Sequence, residues 1–483
     1  MRTWSALIAT VAATVAAATA AWAAGFVVVP SPNPGTSNTI DGLVAFSPNT
    51  IWAVGNASSP SYASCHGRTL TARWDGSAFT EIPAPDTPIC ASIEGVAGTS
   101  TSDIWAVGSV NEARDTHIRH WDGTTWTTVP GANIPVPPSG GRTHRSTGLN
   151  AVAALSPTNA WAVGRAQFAD FSRHTLIEHW NGSAWQLVDG PTEPSVLYGI
   201  AAIDADDIWA VGQSGADTLA IHWDGSAWAT APPANANVNN TLRGVAAVAS
   251  NDVWAVGWSY NASSGASVPQ TLIEHWDGTS WRIVPSPNVG TGANALLAVA
   301  TRPAGDAWAV GYYDDVTGDI PVRRTLVLGW DGVSWTRLAS ANVGTGDNTL
   351  TAVVAPSGTS DVWASGGSAS GTLVERWSSS AGAPTAARLV GFTASRGNDG
   401  IALEWRTASE AGLLGFSVYR HTGRSSKWTR VNRSVIRAAG HAGGGRYAWL
   451  DRTAGHALRY TYRLTAVDLR GAETSLGRTV VRR

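Results

Sequence analysis

The chain of 483 residues is 43% hydrophobic and only 14% charged, with 52 glycines and 25 tryptophans. It is too apolar for a disordered protein and long enough for a large core. The formal net charge of −2 divides unevenly, because residues from Pro384 onward carry a net +11 and the remainder a net −13; an acidic body, which disfavours nucleic acid as a partner, precedes a basic tail.

Helix-favouring Lys, Glu and Met are scarce beside Trp, Val, Thr, Gly and Ser, which predicts many short strands and tight turns. Residues 1–23 read as a secretory signal: Arg2 supplies the positive end, Ala6 to Ala21 the apolar run, and Ala21-Trp22-Ala23 an A-x-A cleavage site. An uncleaved membrane anchor is the alternative, disfavoured by the weak hydrophobicity of an Ala/Thr-rich run. No later stretch has membrane length, so the mature chain is expected to be soluble, and secreted or held at the cell surface.

The phrase IWAVG at Ile51 recurs at Ile104, Ala160, Ile208, Val253 and Ala307 with only its first residue varying, and as VWASG at Val362. Its tryptophans, Trp52, Trp105, Trp161, Trp209, Trp254, Trp308 and Trp363, stand 45 to 56 residues apart, a period of propeller blades and not of helical solenoids. A second phrase follows each of the first six: RWDGSAF at Arg73, HWDGTTW at His120, HWNGSAW at His179, HWDGSAW at His222, HWDGTSW at His275 and GWDGVSW at Gly329. Each unit parses into a small-residue inner strand, the W-A-V-G strand, a strand such as Thr271 to Trp276, and an outer strand. A two-residue Asp-Gly or Asn-Gly turn, with both central residues at positive φ, is expected before the outer strand. Four antiparallel strands repeated seven times predict an all-β, seven-bladed β-propeller over residues 24–377.

The seventh unit has no Asp-Gly turn and no fourth strand after Trp377. The N-terminal segment Phe26 to Asn33 aligns without gaps on Trp281 to Asn288, and is therefore expected to supply the missing outer strand and close the ring, removing an edge prone to aggregation. The W-A-V-G and H-W-D-G phrases resemble those of secreted repeat propellers of Gram-positive and Chloroflexi-like bacteria. The Asp-Gly hairpin is also similar to a shortened sialidase-type Asp-box, which is itself a structural turn and implies no sialidase chemistry.

After a linker at residues 378–386, residues 387–483 resemble a fibronectin type III-like β-sandwich. The resemblance rests on Ile401 to Ser409, Leu414 to Arg420 and the Tyr-rich run from Tyr460 to Ser475. Cys65 and Cys90 are expected to form a disulfide in an oxidising compartment, worth roughly 3–4 kcal/mol on a chain-entropy basis.

Nineteen of the 25 tryptophans fall in the repeat phrases or, as Trp377, at the matching strand end of the seventh unit, where packing of blade on blade explains them better than sugar stacking. His120, His179, His222 and His275 occur one per unit, too far apart to share a metal ion, and read as structural. The VGTG runs at Val289 and Val343 precede strands and read as turns, not phosphate loops. Tyr312 to Asp319 has the carboxylates of a Ca²⁺ loop without its register. No metal, cofactor or catalytic motif is identified.

What varies is one rim. Residues opening the inner strands (Asp41, Glu94, Asn150, Tyr198, Arg243, Leu297, Thr351) and residues ending the W-A-V-G strands (Asn56, Ser109, Arg165, Gln213, Trp258, Tyr312, Gly367) differ in every unit. Identical copies suffice for folding, whereas differing polar and aromatic groups around one mouth suit a ligand. Arg165, Trp258, Tyr312, Tyr198, Arg243 and Glu94 are the candidate contact set, aromatics stacking and charges orienting. The expected function is a monomeric, non-catalytic binding or scaffold module for an extracellular glycan, cell-wall polymer or protein ligand. The alternative is a glycan hydrolase or lyase using the same face.

Overall fold

The computed structural model describes residues 25–58, 68–84, 91–110, 116–132, 144–168, 171–236, 238–260, 268–303, 305–357, 359–377, 389–397, 399–407, 413–422, 428–433, 435–437, 445–455, 459–468 and 473–482. Residues 1–23, Cys65 and Cys90 lie outside them, and so do the signal and disulfide expectations. Every regular element among the described residues is a strand. They divide into two compact units, Gly25–Trp377 and the strands from Leu389 onward.

The first unit contains seven four-stranded antiparallel sheets. The fifth is typical: Val238–Ala249, Asp252–Tyr260, Pro269–Trp276 and Trp281–Ile283 pair in chain order. Inner strands of successive sheets lie side by side, and that of the seventh, Asn348–Val354, returns to pack on that of the first, Asn38–Ser47. The sheets thus close on themselves in a propeller-like all-β fold. In the last sheet Val27–Val28 pairs with Gly371–Trp377, Val27 opposite Arg376 and Val28 opposite Glu375, so the N-terminal segment occupies the outer position.

Tryptophan interlocks the sheets. Trp52 of the first sheet packs 4.8 Å from Trp121 and 5.8 Å from Trp126 of the second. The pattern repeats from Trp105 to Trp180 and Trp185, and on around to Trp363, which meets Trp74 and Phe79 of the first sheet. Those second-strand tryptophans are all buried, and removing one such ring would cost about 3–5 kcal/mol. On its own sheet, the histidine of H-W-D-G lies against the same ring. His222 stands 4.5 Å from Trp209, while its Nε2 lies 2.8 Å from Asp207 Oδ1, which also accepts the Trp209 indole N–H. His120, His179 and His275 make the same contacts with Asp103, Asn159 and Asp252. Each is held within its own sheet.

The Asp-Gly turns differ from expectation. Trp74 pairs with Phe79, leaving a four-residue loop in which Gly76 alone has positive φ, at 100°. Asp75 stays in an ordinary conformation because its carboxylate accepts the backbone N–H groups of Ser77 and Ala78. These bonds hold its carboxyl down at about 2. The side chain, not a second positive φ, closes the turn.

The second unit packs two sheets on one core. The strands Leu389–Gly397, Gly400–Thr407 and Arg446–Asp451 form one sheet; Thr429–Arg430, Leu413–Thr422, Arg459–Asp468 and Glu473–Arg482 form the other, with Ile436–Arg437 also on Leu413–Thr422. Ile401, Leu403 and Trp405 of the first meet Phe416, Val418, Tyr462 and Leu464 of the second.

Candidate functional site

Each of the seven inner strands carries a one-residue β-bulge at the same place. In the first sheet Ile40 opposes Gly55 and Gly42 opposes Val54, leaving Asp41 as the extra residue. The equivalent residues are Glu94, Asn150, Tyr198, Arg243, Leu297 and Thr351. A bulge bends its strand and re-aims the extra side chain, here toward one end of the ring. The glycine of W-A-V-G explains how the bulge is accommodated. At Gly55, Gly108, Gly164, Gly212, Gly257, Gly311 and Gly366, an added Cβ would run into a backbone carbonyl oxygen of the bulged strand. The residue after each glycine then stands beside the bulge as a second rim position.

The six candidate residues fall on these two rims. Glu94, Tyr198 and Arg243 are bulge residues; Arg165, Trp258 and Tyr312 follow the glycines. Glu94 is exposed and the other five are half-buried. Arg243 is central: its guanidinium lies 4.2 Å from the Tyr198 ring centroid and 5.9 Å from that of Trp258. Burial holds the guanidinium below its ordinary value, against the attraction of Tyr198 and Glu94 and with Arg165 adding repulsion. Tyr312 carries the guanidinium of Arg323 at 3.7 Å, and Arg323 is itself paired with Asp314 at 3.1 Å. The tyrosine faces expected to await a ligand therefore already stack on cations.

The rim also gathers groups outside the candidate set. Asp41 Oδ2 accepts hydrogen bonds from Thr39 Oγ1 at 2.9 Å and Asn56 Nδ2 at 2.8 Å. Burial first, and the charge of Glu94 second, push its carboxyl up to about 7. Asn150 donates to the Leu197 carbonyl at 2.6 Å and accepts from Arg165 Nη1 at 3.3 Å, linking the third and fourth sheets. Asp41, Asn56, Glu94, Ser92, Ser109 and Arg165 line a cavity of about 460 Å³. A second cavity of about 670 Å³ runs past Thr351 and Gly367 to Arg323 and the exposed Ile320. The mouth thus has an acidic, hydroxyl-rich basin and a more apolar one, with Arg165 beside the first and Arg323 beside the second.

Asp41, Asn56 and Asn150 stand in the rim alignment of the sequence, but only burial against Glu94 and Arg165 distinguishes them. Arg323 had no repeat position to announce it. Two of the three carboxylates of the Ca²⁺-like run are otherwise engaged, Asp314 by Arg323 and Asp315 by Thr317.

No protein-family model matches this chain, and no curated protein does. Solved structures similar to it include YCF48 bound to a D1 peptide (13% identity, TM-score 0.46, covering 73% of this chain and 95% of that one). U3-55K is another, at 11% identity and TM-score 0.47, covering 73% and 98%. A Hadza microbial sialidase, Hz136, follows at 10% identity and TM-score 0.43, covering 71% and 65%.

Proposed function

We propose that residues 24–377 form a seven-bladed β-propeller closed by its N-terminal strand, and residues 387–483 a fibronectin type III-like domain. On this reading residues 1–23 direct export, Cys65 and Cys90 are bridged, and the mature protein is a monomeric extracellular binding module. Its ligand, a glycan, cell-wall polymer or protein, sits at the rim of bulges.

One observation carries the reading. Seven bulges at equivalent places, each permitted by its own glycine, present a different residue at the same mouth. A device repeated in every sheet whose product is never repeated serves recognition better than folding. The test is a binding array of glycans, cell-wall polymers and extracellular proteins, probed with the mature protein. Binding lost on substituting rim residues supports the proposal; binding unaffected by the rim contradicts it.

A second reading has its own observation. Asp41 keeps its proton to about pH 7 in a basin it shares with Glu94, and a carboxylic acid held protonated by burial suits the general-acid step of glycoside cleavage. Polymer cleavage abolished by Asp41→Asn would favour the enzyme.

A further inference from the structure

The second unit carries a row of arginines that neither reading uses. In its larger sheet Arg430, Tyr419, Arg463 and Arg478 stand directly opposite one another across four strands. Cross-strand partners share a face, and their chain neighbours Val418 and Leu464 point into the core, so this row faces outward. Arg463 lies 4.8 Å from the Tyr419 ring and 4.7 Å from that of Trp428; Arg478 lies 5.3 Å from Trp428.

Like charges opposed on adjacent strands repel. The nearby carboxylate, Glu473, is engaged by Ser417, Tyr419 and Thr465 and approaches only Arg430, at 3.9 Å. Stacking on aromatic faces occupies the guanidinium planes and leaves their N–H edges for oxyanions.

We infer that this row is a docking surface for a linear anionic polysaccharide, its sulfate, phosphate or carboxylate groups meeting the guanidinium edges. Strands lie about 4.8 Å apart, so Arg430 to Arg478 extends roughly 15 Å, too long for one small anion and suited to a polymer laid across the strands. The rows flanking it on the same face carry no arginine or lysine, Ser417, Thr465 and Ser475 on one side and His421, Thr461 and Val480 on the other; the next arginine on that face is Arg459, four residues from Arg463. A nucleic acid duplex or a membrane would favour a broader basic patch, whereas a charged track one row wide, bordered by rows without arginine or lysine, suits one sugar chain.

The probe is heparin, titrated against the full mature chain at stepped salt. Arg463→Ala with Arg478→Ala should weaken binding at least about tenfold. The control pair Arg406→Ala with Arg446→Ala removes the same charge from the other sheet, where those arginines are also opposed, and should change binding by less than about twofold. Arg463→Lys with Arg478→Lys keeps the charge but loses the stacked fork, and should fall between; it carries the test if the alanine pair does not fold. Equal losses in both alanine pairs would reduce the effect to diffuse charge and overturn the inference. So would no heparin binding at low salt, or equally tight binding of duplex DNA or anionic vesicles. Heparin binding lost in Arg243→Ala but kept in the Arg463/Arg478 alanine pair would place the polymer at the mouth and overturn this inference while supporting the mouth proposal, so the two fail separately.

Discussion

Gly257 lies opposite Leu242 at the step where Arg243 leaves the regular register, and a Cβ on Gly257 would meet the carbonyl oxygen of Thr241. The glycine of the repeated phrase and the variable residue of the mouth are two sides of one backbone feature. The phrase recurs because every sheet needs that feature, and the residue beside it is left free to differ.

Gly257→Ala should therefore damage both stability and the rim. Because the obstacle is backbone, relief means flattening the bulge or shifting the strand, and the cost should approach 3 kcal/mol, at the upper end of single substitutions. Denaturant unfolding measures it. A change below about 0.5 kcal/mol would mean that the bulge does not depend on the glycine.

A second prediction concerns buried acids on the third strands. Glu178 accepts from Thr116 and from the backbone of Ala132, Glu274 from the backbone of Ala234, and Glu375 from Ser340. Each ties its sheet to the segment leaving the preceding one. Burial pushes Glu178 and Glu375 up to about 7 and Glu274 to about 8. The folded state thus holds protons that the unfolded chain releases near pH 4.5, so this contribution is full below that pH and lost as pH rises to about 8. Melting temperature should fall between pH 5 and pH 8. Glu274→Gln, which mimics the protonated acid, should reduce the slope and gain about 2–4 kcal/mol at pH 8. An unchanged pH profile in that variant would show the carboxyl to be solvated and ionised.

Ring closure supplies the third. Val27 pairs with Arg376, and the Thr372 backbone N–H donates to Asn33 Oδ1 at 2.7 Å, so the N-terminal segment is tied to the last sheet at both ends. Deleting residues 24–34 exposes the edge of Gly371–Trp377, and loss of cooperative unfolding, aggregation or both should follow. A wild-type melting profile in the truncated protein would contradict the closing role.

Much of this architecture could be read in the sequence because its determinants are local and repeated. A tryptophan every 45 to 56 residues, a glycine three residues after it and an Asp-Gly turn each report one backbone requirement. The alignment of Phe26 to Asn33 on Trp281 to Asn288 likewise indicated where the N-terminal segment pairs. The bulge was not legible, since an extra residue in one strand shows only once its partner's register is known. For the same reason Asp41 gave no sign of its raised pKa, which comes from burial beside Glu94, a residue of the next sheet. The Asp-Gly turn misled because the carboxylate of Asp75 closes the loop, a role that a dipeptide rule for paired positive φ does not contain.

The central claim is that the bulge rim is the working surface, and the double variant Trp258→Ala with Arg243→Ala tests it most directly. Both side chains are half-buried at the mouth and belong to one stacked group with Tyr198. Against a ligand recovered from the array, affinity and melting temperature would be measured for this variant and for Asp277→Ala, in a turn at the outer edge of the same sheet. The account predicts an affinity loss of about 10-fold or more in the rim variant, a melting temperature close to wild type, and unchanged affinity in the turn variant. Normal binding by the rim variant, with loss in the turn variant, would contradict it.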